Sequence, residues 1–169
     1  MSFTPDDFKR LMRQHPAAVT LIATGQAPHR TGLTATAVMS MSLDPISIVC
    51  AINRSTATHD QILKNKTFSV NTLAQHQIAL AKTFSGQTQV NGEDRFNGDD
   101  WCQLTSGAPV LKNSVLSFDC ELLQAVEVGT HSLLIGKVVA GQLGEVSMTS
   151  PLVYHDGQWV GLENCPVES

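Results

Sequence analysis

Thr34, Thr36, Ser40 and Ser42 share one parity in the stretch "GLTATAVMSMSLDP", Gly32 to Pro45. Leu33, Ala35, Ala37, Met39 and Met41 take the other. Successive side chains of a strand point to opposite faces, so read as one strand the stretch has an apolar face and a hydroxyl face. Only Val38 interrupts the hydroxyls, and no charge stands among them. Such a face offers neutral donors and acceptors on rigid backbone.

That chemistry suits a flat, neutral ligand with heteroatoms along one edge. A flavin ring has such an edge, with O2, N3–H, O4 and N5 in a row. A solvent-facing strand also carries Thr and Ser, but would normally mix in Lys or Glu.

A second donor group is "NRSTATHD", in which Asn53, Ser55, Thr56 and Thr58 follow an apolar run and open a helix. Hydroxyls beside free helix N–H groups can hold a phosphate. Equally, Ser55 or Thr56 can serve only as a helix cap. "FSG", Phe84 to Gly86, ends a helical run and reads by itself as a glycine C-cap. His131 in "VGTHSLLIG" begins a strand after a turn. A histidine there can orient an anionic or amide-bearing substrate, or be an ordinary surface residue. Asp94-Arg95 in "GEDRF" reads as a turn ion pair.

Other chemistries are missing. His15, His29, His59, His76 and His155 show no metal spacing, and Cys50, Cys102, Cys120 and Cys165 form no CxxC. No metal site is expected, and the cysteines read as reduced thiols. There is no GxGxxG opening a helix, no P-loop, no HExxH and no GxSxG.

The elements that must position these residues follow from periodicity. Thr4 as N-cap, Pro5 at the first position and Asp6-Asp7 in the first turn predict a helix over residues 5–14. "AAVTLIAT" predicts a strand ending at Gly25 and pairing as a hairpin with the strand from Gly32. "ISIVCAI", Ile46 to Ile52, is apolar on both faces and should be central. "STATHDQILKN" predicts a helix, "TFSVNTL" a strand, and "AQHQIALAKTF" a helix with Ile78, Leu80 and Ala81 inward. The polar stretch from Ser85 to Pro109, about 25 residues, reads as one long loop, functional or partner-bound. "SVLSFDCELLQAVEVG" and "THSLLIGKVVAGQL" predict a long hairpin, and "PLVYHDGQWVGL" another, turning at Asp156-Gly157. The fold expected is mainly β with short helices, an antiparallel barrel in one domain over residues 1–169.

The chain has 169 residues, of which 42 % are hydrophobic and 15 % charged, enough apolar material for a real core. Net charge is −4 and no basic run exists, which sets nucleic acid aside. "MSFTPDDFKR" lacks a signal-peptide pattern and no apolar run reaches membrane-span length, so a soluble, cytoplasmic protein is expected.

Taken together, "AAVTLIAT", "GLTATAVMSMSLDP", "ISIVCAINRST", "FSVNTLAQHQIALAKTFSG", "DRF", Trp101, "GAPVL", "FDCEL", "VGTH" and "PLVYHDGQW" resemble the short-chain flavin reductase family. These are the NAD(P)H:flavin oxidoreductases that serve two-component monooxygenases. The resemblance runs from Phe8 to about Leu162, and "GLTATAV", "FSG" and "GTH" are also similar to the reductase components of 4-hydroxyphenylacetate 3-monooxygenases. It implies an FMN-binding split barrel, usually a homodimer, using FMN or FAD with NADH or NADPH. It further implies ring contacts from Thr34, Ala35, Thr36 and Ser40. Ribityl and phosphate contacts fall to Ala51, Asn53, Ser55 and Thr58, with Ser85 and Gly86 near the phosphate. His131 falls on the nicotinamide side. The chain departs from the family at Asp44-Pro45-Ile46, where "PP" is common. A carrier of flavin, or a split-barrel flavoenzyme with another substrate, is the alternative.

Overall fold

The computed structural model describes residues 2–98, 100–144 and 150–162. Cys165 lies outside the described residues. In chain order the elements are α1 (Pro5–Met12), β1 (Ala17–Ala18), β2 (Thr20–Thr24), β3 (Thr31–Ala35), β4 (Val38–Leu43) and β5 (Ile46–Asn53). Then come α2 (Ala57–Asn65), β6 (Thr67–Thr72), α3 (Ile78–Phe84), β7 (Trp101–Gln103), β8 (Pro109–Leu111), β9 (Leu116–Val128), β10 (His131–Leu143), β11 (Leu152–His155) and β12 (Gln158–Gly161).

Seven strands make the main sheet, in the order β3-β2-β6-β9-β10-β5-β4, every pair antiparallel. Its two edge strands, β3 and β4, are consecutive in the chain, with only Thr36 and Ala37 between them. Consecutive Cα atoms stand about 3.8 Å apart, so that link cannot bridge a flat seven-stranded sheet. The sheet therefore curls until its edges meet at this corner. They do not pair, and the barrel stays split. The Ala51 N–H donates to the Ala37 carbonyl at 3.0 Å and anchors the link on β5.

This corner corrects the reading of Gly32–Pro45 as a single strand. The parity of the hydroxyls is interrupted at Thr36-Ala37 and again by an irregularity between Ser40 and Ser42. Sequence periodicity cannot show that a chain leaves one sheet edge and enters the opposite one. β5 is paired on both sides, as its apolar pattern requires, but stands one strand from an edge.

β2 is buried along its whole length and divides two cores. Inside the barrel Ile22 packs with Ile48, Cys50, Ile52, Ile62, Phe68, Val70, Cys120 and Leu134. On the other side Val19, Leu21 and Ala23 pack with Leu73, Ala81, Phe84, Phe96, Leu111 and Leu152. Burying the Val, Leu, Ile and Phe side chains among them contributes about 1.5–3 kcal/mol each. Inside the first core, burial pushes the Cys50 thiol up to about 12. It raises Cys120 as well.

The long stretch after Ser85 is no bare loop. It forms a 3-10 turn over Gly92–Phe96, then β7 and β8. Phe96 stacks edge-on with Phe84 at 5.1 Å, and Trp101 lies 4.7 Å from Phe96. Glu93 clamps Arg30, accepting from its Nε at 2.6 Å and from its backbone N–H at 2.8 Å. The Arg30 guanidinium lies over the Phe96 ring at 4.7 Å. Polar composition concealed these few anchors.

α1 ends at Met12, two residues earlier than expected, ahead of His15-Pro16. The Thr4 hydroxyl and N–H both donate to Asp7 and hold its carboxyl below the usual range. Its Phe8, Leu11 and Met12 side chains are exposed. No helix of the described residues is long and apolar enough to cross a membrane.

Candidate functional site

The corner where β3 leaves the sheet, together with the end of β5, forms one wall system of a cleft of about 540 Å³. That volume falls within the range of small-molecule sites. Leu33 to Ala37 line one side, and Ala51, Ile52, Asn53 and Thr56 the next. The end of α3 contributes Phe84, Ser85 and then Gln87. His131 stands at the start of β10, in register with Asn53 of β5. Tyr154 and Trp159, an aromatic pair 5.0 Å apart across the β11–β12 hairpin, close the remaining side.

No Asp, Glu, Lys or Arg occurs among these lining residues. A charged wall would favour one ionisation or redox state of a ligand, and this wall does not. The small side chains of Ala35, Ala37 and Ala51 bring a flat ligand close to backbone donors and acceptors. Aromatic faces at Phe84, Tyr154 and Trp159 add apolar surface. The donor set therefore fits a neutral, planar, heteroatom-edged ring such as a flavin.

Of the eleven residues to which the resemblance gives a contact, seven meet here: Thr34, Ala35, Thr36, Ala51, Asn53, Ser85 and His131. Their hydroxyls differ in use. Thr34 donates to the Ala81 carbonyl at 2.8 Å and so fastens α3 to β3. Thr36 is exposed at the corner itself. Ser85 donates to the Lys82 carbonyl at 3.0 Å. The His131 Nδ1 lies 2.9 Å from the Thr130 hydroxyl, and the ring is exposed.

Four others stand outside the cleft lining. Ser40 lies exposed on β4, beyond the corner, opposite Ile48. Ser55 faces a neighbouring hollow with Arg54, Asp60 and Glu127, and its N–H and hydroxyl both donate to the Asn53 side-chain oxygen at 2.9 Å. Thr58 is 3 % exposed, and its hydroxyl shares a 3.0 Å hydrogen bond with Thr31 that holds α2 to β3. Gly86, at φ +77°, closes α3 as its N–H bonds the Thr83 carbonyl at 3.3 Å. Ser42 serves the β4–β5 turn, donating to the Asp44 carbonyl at 3.0 Å. The cap of α2 is Thr56, whose hydroxyl accepts the His59 N–H at 3.3 Å.

Sequence reasoning missed Phe84, Gln87, Tyr154 and Trp159 as wall residues. Tyr154 and Trp159 were visible as an aromatic pair flanking the Asp156-Gly157 turn, but nothing in a hairpin pattern says which cleft it covers. No group of His, Cys, Asp and Glu among the described residues could hold a metal ion.

Residues 12–163 match the family model described as flavin reductase like domain. The chain belongs to this family. It is 38 % identical over 157 residues to the reductase component of an FADH2-dependent resorcinol hydroxylase from Rhizobium sp., covering 90 % of this chain and 84 % of that one. It is 36 % identical over 134 residues to FMN reductase (NADH) RutF from Pantoea ananatis, with 79 % and 70 % covered. Among solved structures, BorF is the flavin reductase component of a bacterial two-component tryptophan halogenase. It superposes with a TM-score of 0.86 at 25 % identity, covering 96 % of this chain and all of that one. The split barrel expected from the resemblance is the fold of these flavin reductases.

Proposed function

We propose that this flavin reductase family member reduces FMN or FAD with NADH in the cleft at the β3–β4 corner and releases the reduced flavin to a partner monooxygenase. The observation that carries the assignment is the uncharged, small-residue wall from Thr34 to Ala37 facing Ala51. When bound, the flavin supplies the hydride-accepting N5 and carries the electrons away. The protein binds, orients and excludes water. Ala35, Thr36 and Ala51 present backbone and small side chains to the ring. Asn53, with Ser85 across the cleft, meets the ribityl and phosphate end. His131 borders the nicotinamide side and aligns the dinucleotide. Holding the hydride-donating nicotinamide carbon about 3–3.5 Å from the flavin N5 would be the main contribution to rate. No protein nucleophile is required. The lack of Lys and Arg in the lining favours NADH over a 2′-phosphorylated nucleotide.

A second copy completes the site in this reading. The cleft continues through Thr36, Ala37, Ala51 and Tyr154 into an apolar groove of about 690 Å³ under α1. Exposed Phe8, Met12, Met39 and Leu133 line that groove. Free Cys50, Cys102 and Cys120 accord with a reducing, cytoplasmic setting.

Titrating the protein into FMN or FAD tests the assignment by flavin fluorescence. Quenching that saturates at one flavin per chain is expected. Ala51→Trp, which fills the cleft, should abolish it while melting like the wild type. Equal quenching by that variant would move the flavin elsewhere.

A further inference from the structure

His59 has no part in the chemistry described above, yet it is 4 % exposed in the first turn of α2. Its Nε2 lies 3.0 Å from the Ser132 hydroxyl and its Nδ1 lies 3.1 Å from an Asp60 carboxylate oxygen. The order of atoms is that of a nucleophilic serine triad. Ser132 is only 1 % exposed, so no substrate reaches its oxygen. Asp60 is a surface carboxylate, its side chain 77 % exposed. Acyl transfer is therefore excluded, and the role of the imidazole is mechanical.

Both ends of this bridge adjoin residues that line the cleft. Ser132 follows His131 and pairs with Ile52, and both of those neighbours line it. On the α2 side, the His59 N–H donates to the Thr56 hydroxyl, which donates to the Asn53 carbonyl at 2.9 Å. Asn53 and Thr56 line the cleft as well. The backbone ladder between β5 and β10 aligns His131 with Asn53, and the Arg54 N–H adds one further bond to the Thr130 carbonyl at 3.0 Å. Arg54 also pairs with Glu127 of β9 at 2.8 Å, so the Asn53 end of the turn is held by the hairpin, and its Thr56 end, the cap of α2, follows where α2 sits. His59 and the neighbouring Thr58, bonded to Thr31 of β3, pin that first helical turn at two points.

We infer that His59 is a positioning residue of the flavin site: its bridge to Ser132 sets the distance between Thr56, at the α2 end of the turn, and His131. This rests on the flavin reading of the cleft. Losing one such hydrogen bond should weaken flavin binding about fivefold to tenfold, with kcat at saturating flavin changed by less than about twofold.

The test is a double-mutant cycle of His59→Ala and Ser132→Ala, read by flavin fluorescence and thermal melting, with NADH turnover alongside. Each single variant should raise the flavin Kd by the same factor, and the double variant no further. His59→Gln, which keeps a polar group near the Nε2 position, should return most of the affinity. Ser132→Ala and His59→Gln keep the question answerable if His59→Ala folds poorly. Variants that melt lower but bind flavin like the wild type, or effects that add, overturn the inference alone. Wild-type protein that neither binds flavin nor oxidises NADH overturns the flavin reading, and this inference with it.

Discussion

Gly32 opens the stretch that drew attention to the site, and its missing side chain is a matter of space. A Cβ there would stand 2.8 Å from the Ile22 carbonyl oxygen of the paired strand and 3.0 Å from the Phe84 ring. Neither neighbour can give way easily. Ile22 lies on β2, buried from end to end, and the Phe84 ring is backed by Phe96 and Trp101. Gly32→Ala must therefore push β3 from β2 or drive Phe84 into the cleft it lines. Overpacking of this kind costs about 1–3 kcal/mol. Reduced freedom of the unfolded chain returns about 0.4–1 kcal/mol. The net cost is about 1.3 kcal/mol at the middle of those ranges, so at about 2–4 °C per kcal/mol for a domain of this size the Tm should fall by about 3–5 °C, and by no more than about 10 °C. Circular dichroism melting reads the first effect and flavin fluorescence titration the second, which should show weakened binding. A variant that melts at or above the wild-type temperature and binds flavin equally well would refute the reasoning.

Glu93→Ala removes the clamp on Arg30, whose side chain is only 20 % exposed, and should cost about 2 kcal/mol. Melting should fall, and limited proteolysis should cut earlier between residues 85 and 98; an unchanged digestion pattern would deny the clamp its role. The Cys50 thiol stays protonated in the fold up to about 12, against an ordinary value of 9.0. Its contribution is full below about pH 9 and is lost as pH rises toward 12, because only the unfolded chain ionises there. The Tm of Cys50→Ala should therefore decline less steeply than that of the wild type between pH 9 and 10.5, and parallel slopes would contradict the assignment. His131→Ala should raise the KM for NADH about fivefold while leaving the flavin Kd within about twofold. Unchanged NADH kinetics would remove His131 from the site.

Local patterns were legible where local chemistry decides them. The Thr4 cap, the pairing of β9 with β10 as a long hairpin and the Asp156-Gly157 turn all stand as read, although Ser117 and Asp119 of β9 are buried. Antiparallel barrel architecture followed from hairpin spacing. What escaped was tertiary: the break at Thr36-Ala37 carries the chain from one sheet edge to the other, and no periodicity marks it. That break explains why Thr34 and Thr36 reach the cleft and Ser40 does not. Ser55 and Thr58 bear the right chemistry, but their hydroxyls serve a turn and a helix anchor. Phe84, Tyr154 and Trp159 read as core or hairpin aromatics, because only the folded chain brings them to one cleft. His59 was one unremarkable histidine among six until burial and Ser132 gave it a partner.

NADH consumption at 340 nm, with purified protein, air and catalytic FMN or FAD, tests the central claim most directly. The account predicts turnover that rises and saturates with added flavin, and that is lost in Ala51→Trp. No flavin-dependent turnover, or equal turnover by the variant with its cleft filled, would contradict it.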